Sequence, residues 1–311
     1  MLATQFLDSC DKILKASGLD LKMKKYKCVP VGEKKGFIEW VPGAFALSEI
    51  CKPMGSSASC LHHQQKGHAP KEQGEADNTE NDNTNSAFIR TGSWCKFESL
   101  RSLRHSVKYT KKHGIGLSGE NPVQDFFRTY AYDEDAPYLI KREVMDNFVK
   151  SCAGYSVITY ILGVGDRHTD NLLLHPKGYF LHCDYSFILG QDPKTYQPMR
   201  ITEHMVNGMG GRDSDNFAKF LSLAGAAFVT LRRHPNVRTL LSIVRALVDS
   251  EIPDVSVNQN PDVALQSMFE RFHLDLTDDE AVNFLEENIE RSISSKIWIA
   301  VDAIHSLGKR F

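Results

Sequence analysis

The segment from Arg142 to Leu162 constrains the fold of this chain more than any other. Its second half carries apolar side chains on most faces of a helix, and such a helix is stable only when other protein surrounds it. Gly163 and Gly165 follow directly and predict the end of the helix. The sequence therefore predicts a buried central helix that delivers the chain into a polar segment after Gly165.

This polar loop, residues 166–171, combines acidic, amide and imidazole side chains in the order Asp-Arg-His-Thr-Asp-Asn. Residues 172–174 and 179–183 predict two strands around a turn, which brings Asn171 and Asp184 together at the open end of a hairpin. An Asp and an Asn there can hold magnesium against the phosphates of ATP, while a nearby Asp or His can accept the proton of an attacking hydroxyl. Each residue alone also suits an ordinary loop, but the combination indicates a phosphoryl-transfer site.

Length, charge and cysteine content narrow the class of protein. The 311 residues, 41% of them hydrophobic, suffice for one large or two small domains with a sizeable core. The net charge of -2 argues against nucleic acid as a partner. Seven cysteines without a repeating interval suit a reducing compartment and hence a cytoplasmic location. No secretory signal is evident, and the longest apolar stretch, 155–164, is about half of the roughly 20 residues that a membrane helix needs.

The remaining folded segments are predicted from helical spacing and turn residues. Apolar residues three and four apart predict an amphipathic helix over 2–14, closed by Gly18. Two strands, 26–31 and 36–41, flank a turn. The last third is predicted to form helices over 216–232, 237–249 and 263–272, and a capping box at 277–280 that opens a final helix toward Leu307.

The segment 51–121 differs in composition from the rest. Up to about residue 85 it is rich in polar residues and has almost no large apolar side chain, which predicts a disordered insertion. Its candidate zinc ligands have no spacing typical of a zinc module. They are Cys51, Cys60, His62, His63 and His68. A basic and aromatic stretch at 90–112 suits either a docking segment for acidic lipid or a partner, or a solvated insertion, and the second is favoured.

A larger pattern around the polar loop is formed by residues 149–168, 170–174, 188–190, 192–194, 208–211 and 272–276. These stretches resemble the phosphatidylinositol 3-kinase family, and specifically its class III branch. The resemblance implies an α+β, protein-kinase-like fold of two lobes, with a truncated small lobe and a mostly helical large lobe. Residues 1–50 would be the remainder of the small lobe with a hinge, 51–121 a low-complexity insertion, and 122–311 the large lobe with the catalytic loop, the activation loop and a C-terminal helix.

The resemblance implies a role for each polar residue of the site. Asp166 and His168 would belong to the catalytic loop, where His168 either accepts the proton of the inositol hydroxyl or stabilises the transferred phosphoryl group. Arg167 would anchor this loop. Asn171 and Asp184 would bind Mg²⁺, with Mn²⁺ as the alternative ion, and ATP would be the phosphoryl donor.

The second predicted strand would lead into the hinge that holds adenine. There the resemblance gives Glu39 a carbonyl and Val41 an N–H for the base, and it places Ile38 and Trp40 beside the apolar pocket. The alternative, an ordinary buried strand, stays open.

Charge in the loop after Asp184 bears on the choice of lipid. Family members that accept lipids already carrying phosphates have a loop dense in Lys and Arg, whereas residues 184–202 contain only Lys194 and Arg200. The resemblance therefore implies phosphatidylinositol as the substrate and phosphatidylinositol 3-phosphate as the product.

The predicted C-terminal helix leaves two interpretations open. One face would carry Ile293, Ile297, Ala300, Val301 and Ile304. Trp298 lies nearby, and such a face suits either the core or, as the resemblance favours, a membrane surface.

The resemblance also implies a cellular setting, and the sequence departs from the family pattern at two points. The protein would act in endosomal trafficking and autophagy, peripheral on those membranes, with a regulatory pseudokinase-type subunit and a scaffold. The glycine-rich loop and the ATP-binding lysine of the family have no counterpart in the sequence, so we expect a piece of a longer enzyme. Ser186 stands where the family has glycine. A truncated, catalytically dead scaffold and a related protein kinase of the superfamily are the alternatives.

Overall fold

The structure, a computed structural model, describes residues 2–32, 35–51, 121–190, 198–246, 261–298 and 300–302. Within these ranges the chain is mostly helical with two small antiparallel sheets, which confirms the broad α+β class. The helices are α1 (Leu2–Ala16), α2 (Leu47–Ile50), α3 (Pro122–Ala131), α4 (Arg142–Leu162), α5 (Glu203–Met209), α6 (Asp215–Leu231), α7 (His234–Arg245), α8 (Pro261–Glu270) and α9 (Asp278–Ile293), and the strands are β1 (Cys28–Gly32), β2 (Lys35–Ile38), β3 (Phe45–Ala46), β4 (Leu172–Leu174) and β5 (Phe180–His182).

Several predictions fall on positions outside the described residues. These are Lys194, Ile304, nearly all of the predicted insertion with the cysteine and histidines at 60–68, and the basic stretch 90–112. In the described ranges, no helix combines the length and the apolar character needed to cross a membrane.

Helix α4 forms the centre of the protein, as the sequence predicts. From position 144 to its end nearly every side chain is buried, and the helix packs against α6 and β5. Each fully buried Leu, Ile or Phe side chain contributes about 1.5–3 kcal/mol, so this helix supplies a large share of the core. Gly163 ends it in the left-handed conformation, with φ 64°. A Cβ at Gly163 would lie 2.6 Å from the Gly190 nitrogen, which leaves room only for glycine.

Strands β4 and β5 form the predicted hairpin, and they are buried beside α4. Leu172 pairs with His182 at the open end, and β3 extends the sheet on the other side of β4. The turn of this hairpin packs closely on α4, because a Cβ at Gly178 would lie 2.0 Å from the Val144 carbonyl oxygen. The hairpin is thus held by the central helix at its closed end.

Strands β1 and β2 form a second antiparallel pair, as predicted, although both are shorter than 26–31 and 36–41. Cys28 pairs with Ile38. In contrast to β4 and β5, these strands lie at the surface, and Phe37 and Ile38 are 70% and 71% exposed. Strand β2 is therefore exposed within the described structure, whereas Val41, three residues after its end, is buried.

The helices of the last third form close to their predicted positions, with one correction. The capping box at 277–280 is present and opens α9. Helix α9 does not continue toward Leu307, however, but ends at Ile293, and the described residues after position 295 form a separate helical stretch. Serine side chains compete for backbone hydrogen bonds in a helix interior, so the adjacent Ser294 and Ser295 favour an end here.

Candidate active site

Two aspartates of the predicted site have left-handed backbones. Asp166 has φ 50° and Asp184 has φ 57°. This region costs a residue with a Cβ about 1–2 kcal/mol, although Asp tolerates it better than most residues. Nearby backbone bonds hold the conformation, since the Gly165 N–H donates to the Phe187 carbonyl at 2.9 Å. The surrounding structure thus fixes a local strain of the kind that is common at functional sites.

Arg167 joins the polar loop to the end of β5. Its buried side chain donates from Nε to the Gly165 carbonyl (2.7 Å), from Nη1 to the Cys183 carbonyl (2.8 Å) and from Nη2 to the Asp184 carbonyl. The guanidinium also lies 5.7 Å from the ring centroid of Tyr185. Burial lowers the pKa of Arg167, while these contacts compensate the buried charge.

His168 lies buried between two carboxylates of the polar loop. Its Nε2 is 3.9 Å from Asp166 Oδ2, and its Nδ1 is 3.9 Å from Asp170 Oδ2. These separations exceed a hydrogen bond, but they are short enough for both carboxylates to stabilise a positive charge on the ring. The arrangement suits a base that takes a proton from a hydroxyl and holds the resulting charge.

Asn171 and Asp184 meet at the open end of the buried hairpin, where the Cys183 N–H donates to the Asn171 carbonyl at 3.0 Å. The side-chain nitrogen of Asn171 donates to the Asp166 carbonyl (2.9 Å), so the amide oxygen is the atom that could bind a metal ion. An amide and a carboxylate oxygen are hard donors that fit Mg²⁺, which proteins commonly hold with one or two such ligands together with phosphate oxygens. Among the described residues, no group of three or more His, Cys, Asp or Glu side chains could hold a metal ion.

Ser186 occupies the position of the glycine expected from the family pattern. Its φ is not positive, so a serine fits there without backbone strain. The Ser186 N–H (3.1 Å) and hydroxyl both donate to Oδ1 of Asp184. The serine therefore orients the Asp184 carboxylate.

The four hinge candidates differ in exposure. Ile38 and Trp40 are 71% and 45% exposed, whereas Val41 is buried. The Glu39 N–H donates to the Lys27 carbonyl (2.8 Å), but the Lys27 N–H donates to the Glu39 carboxylate (2.9 Å) and not to its carbonyl. The strand ladder thus bypasses the Glu39 carbonyl, which is the group expected to contact adenine.

Of the two cations predicted to face the lipid, the described structure shows only Arg200, and its side chain is turned inward. That side chain is 5% exposed and forms an ion pair with Asp302. Its guanidinium lies 4.6 Å from the ring centroid of Trp298, which is buried, whereas the neighbouring Ile297 is half exposed. Burial lowers the pKa of Arg200, and Asp302 opposes that shift.

Two residues that the sequence did not reveal hold the polar loop from distant parts of the chain. Ser48, in α2, donates its hydroxyl to Asp170 and its N–H to the Thr169 carbonyl (3.2 Å). Asp302 accepts the Thr169 N–H at 3.1 Å. The side chains of Ser48 and Asp302 contact residues that are 122 and 133 positions away along the chain, so no local pattern marks either residue.

Comparison with known proteins places these features in a family. The sequence model of the family described as phosphatidylinositol 3- and 4-kinase matches residues 1–257. Among curated proteins, phosphatidylinositol 3-kinase VPS34 of Candida glabrata is 43% identical over 194 residues, which cover 62% of this chain and 21% of that protein. The Arabidopsis thaliana protein of the same name is 39% identical over 190 residues, 61% of this chain and 23% of that protein.

More distant relatives align over nearly the whole chain. The protein of Saccharomyces cerevisiae with that name is 31% identical over 309 residues, which cover 99% of this chain and 27% of the relative. The chain therefore spans between about a fifth and a third of the length of the curated relatives that it matches.

Proposed function

Because this chain belongs to the phosphatidylinositol 3- and 4-kinase family, we propose that it carries the metal-binding and proton-transfer part of a lipid-kinase site, which phosphorylates the 3-hydroxyl of phosphatidylinositol. One observation carries the proposal: Arg167 joins the polar loop, with its imidazole and carboxylates, to Asp184 at the end of β5. The candidate acid–base groups and the candidate metal ligands therefore lie at the same site. Relatives named phosphatidylinositol 3-kinase support the reaction class.

His168 is the proposed acceptor of the proton of the attacking inositol hydroxyl. Asp166 and Asp170, each 3.9 Å from a ring nitrogen, stabilise the imidazolium that forms. Arg167 keeps the loop in place, because its side chain donates to the backbone carbonyls of Gly165, Cys183 and Asp184. Phosphoryl transfer depends on positioning and charge stabilisation more than on covalent chemistry, so a rigid loop serves it well.

Asn171 and Asp184 are the proposed ligands of magnesium. The bound ion would neutralise charge that develops on the phosphate oxygens. Ser186 engages one oxygen of the Asp184 carboxylate and so sets the direction of the other.

The nucleotide is proposed to lie between two lobes, formed by residues 1–50 and 122–311. On the side of the small lobe, the N–H of Val41 and the carbonyl of Glu39, which has no backbone partner among the described residues, would contact adenine. Trp40 and Ile38, both exposed beside them, would pack against the base.

Phosphatidylinositol without further phosphates is the proposed lipid. The loop 184–202 contains only Lys194 and Arg200 as cations, and Arg200 is buried in an ion pair. This leaves even less positive charge for a phosphorylated headgroup than the sequence alone indicates.

The proposed setting is the surface of endosomal or autophagic membranes, in a complex with a regulatory pseudokinase-type subunit and a scaffold. The helical stretch after position 295 would contact the lipid, which the half-exposed Ile297 supports. Deletion of residues 303–311, which keeps Asp302, should then lower activity on vesicles more than ATP hydrolysis without lipid.

A lipid-kinase assay tests the proposal directly. The natural protein that contains this sequence is incubated with ATP, Mg²⁺ and vesicles of phosphatidylinositol or of phosphatidylinositol 4,5-bisphosphate, and the products are separated by the position of the new phosphate. We expect phosphatidylinositol 3-phosphate as the main product. Faster turnover of the bisphosphorylated lipid would refute the substrate assignment, and absence of any lipid product would refute the kinase assignment.

A further inference from the structure

The C-terminal helical stretch contacts the polar loop through one carboxylate. Oδ1 of Asp302 accepts the Thr169 N–H at 3.1 Å and the Thr169 hydroxyl at 3.3 Å. Thr169 stands between His168 and Asp170, so the bonded N–H belongs to the peptide group that follows His168. On its other side, the Thr169 carbonyl accepts the Ser48 N–H at 3.2 Å.

The second oxygen of the same carboxylate, Oδ2, binds Arg200. The side chains of Arg200 and Asp302 are 5% and 28% exposed, and Arg200 Nε has no hydrogen-bond partner among the described residues. Asp302 therefore compensates a buried cation, which is strongly unfavourable without a partner. Arg200 lies near the end of the loop 184–202, which begins at the proposed metal ligand Asp184. Asp302 therefore contacts both this loop and the polar loop.

We propose that Asp302 is a positioning residue of the kinase site, whose two carboxylate oxygens fix the peptide group next to His168 relative to the end of the loop 184–202. The inference rests on the proposed function, because it takes His168 as the proton acceptor. The two elements are coupled, since any shift of Arg200 displaces the carboxylate that also orients Thr169.

Hydrogen–deuterium exchange of the segment 166–171, in the natural protein that contains this sequence, tests the contact itself. Asp302→Ala removes both acceptors, and we expect exchange there to become about tenfold faster. Asp302→Asn keeps an oxygen for Thr169 and should change exchange less than the alanine variant does. Unchanged exchange in Asp302→Ala would overturn the proposal, whether or not the protein is a lipid kinase.

Glu290→Gln is the matched control for this experiment. It makes the same change of carboxylate to amide in the ion pair between Arg212 and Glu290, whose side chains are 45% and 46% exposed. Isolated pairs at the surface contribute little to stability. We expect exchange of the segment 166–171 to be unchanged in this variant, and an equal acceleration would overturn the specific role of Asp302.

Steady-state kinetics separate a positioning role from a general structural one. In Asp302→Ala we expect kcat for phosphatidylinositol to fall about 10- to 100-fold, because small misplacement of a catalytic group has effects of that size. The KM for ATP should stay the same. An unchanged kcat would overturn the proposal. So would a KM for ATP that rises by the same factor as kcat falls. A wild-type protein without lipid-kinase activity would instead refute the proposed function, and the exchange experiment would still decide the contact.

A double variant tests the coupling to Arg200. Arg200→Gln combined with Asp302→Asn removes both charges but keeps groups that can hydrogen-bond to each other and to Thr169. We expect it to recover most of the kcat and most of the exchange protection lost in Asp302→Ala. A double variant as impaired as Asp302→Ala would overturn the proposed coupling.

Discussion

The two hairpins of the described structure share an antiparallel geometry and differ in surroundings. The hairpin of β4 and β5 is buried against α4, and the polar loop and Asp184 adjoin its open end. The hairpin of β1 and β2 lies at the surface, and the hinge candidates begin at its last residue, Ile38. The buried hairpin is therefore held by packing and by side-chain hydrogen bonds, whereas the exposed hairpin depends on its own ladder.

This difference separates two kinds of functional residue. Charge stabilisation in phosphoryl transfer requires groups that do not move, and the residues proposed for this role adjoin the buried hairpin. Nucleotide binding at a hinge requires backbone groups and apolar surface, which an exposed strand can offer. Substitutions near the buried hairpin should therefore affect stability, kcat or both, whereas those in the exposed hairpin should leave stability nearly unchanged and act, if at all, on the KM for ATP.

The largest expected effect compares one apolar truncation in each hairpin. Leu181, in β5, is fully buried, and Phe37, in β2, is 70% exposed. Leu181→Ala should lower the free energy of unfolding by about 2–5 kcal/mol, because it leaves a cavity. Phe37→Ala should change it by about 0.5 kcal/mol or less. Urea unfolding of both variants measures the difference. Equal losses of stability would show that the two hairpins do not differ in their contribution to the core.

The next largest effect, at Asp184, is on kcat and not on the free energy of unfolding. Asp184→Asn should lower kcat for phosphatidylinositol about 10²- to 10³-fold, because it removes a charged ligand from the site. Since Asp184 is exposed, the free energy of unfolding should change by less than about 1 kcal/mol. Asp279→Asn, an exposed position in the first turn of α9, is the matched control and should leave kcat intact. A folded Asp184→Asn variant with normal kcat would remove Asp184 from the site.

A pH effect is expected from His182 at the open end of the buried hairpin. Burial lowers the pKa of His182 well below its usual value, so between the two pKa values the unfolded chain binds a proton that the folded chain does not. Stability should therefore be full above about pH 6.5 and should fall below it, by up to about 1.4 kcal/mol per pH unit. His182→Phe, which keeps a ring against Tyr155, should reduce this slope, measured by urea unfolding between pH 5 and 7.5. The exposed His234→Phe is the control, and a slope unaffected by His182→Phe would contradict the prediction.

The smallest expected effect concerns Ser48, which contacts the polar loop beside the buried hairpin. Ser48→Ala removes the hydroxyl that binds Asp170 and should lower stability by about 1 kcal/mol, with kcat reduced up to about tenfold. Ser9→Ala is the control, because the Ser9 hydroxyl donates to the Gln5 carbonyl within the same helix, α1, at 3.0 Å and at the surface. If both variants behave alike, Ser48 has no specific part in holding the polar loop.

The sequence predicted those features that depend on neighbours along the chain. Helix α4, its end at Gly163 and the hairpin after it follow from apolar spacing and from turn residues, and the structure confirms all three. The meeting of Asn171 and Asp184 follows from the hairpin alone, because the strand ends that carry them are paired. The catalytic and metal-binding roles of the site residues stay predictions.

Other features depend on contacts that no local pattern encodes. The exposure of β2 could not be predicted from its apolar sequence, since β-branched and aromatic residues suit a strand whether it is buried or not. The inward turn of Arg200 depends on Asp302, which lies 102 positions away. The end of α9 at Ile293 was marked by two serines, but the apolar pattern beyond them favoured a continuous helix.

The contact between Gly178 and the Val144 carbonyl fixes the length of the turn at the closed end of the buried hairpin. Side chains alternate between the two faces of a strand, so inserting or deleting one residue at 175–178 would shift the pairing and turn Asn171 and Asp184 out of alignment. Homologous chains should therefore tolerate new residue types in this turn much better than a change in its length. The residue at position 178 should remain glycine, because any side chain there would collide with α4.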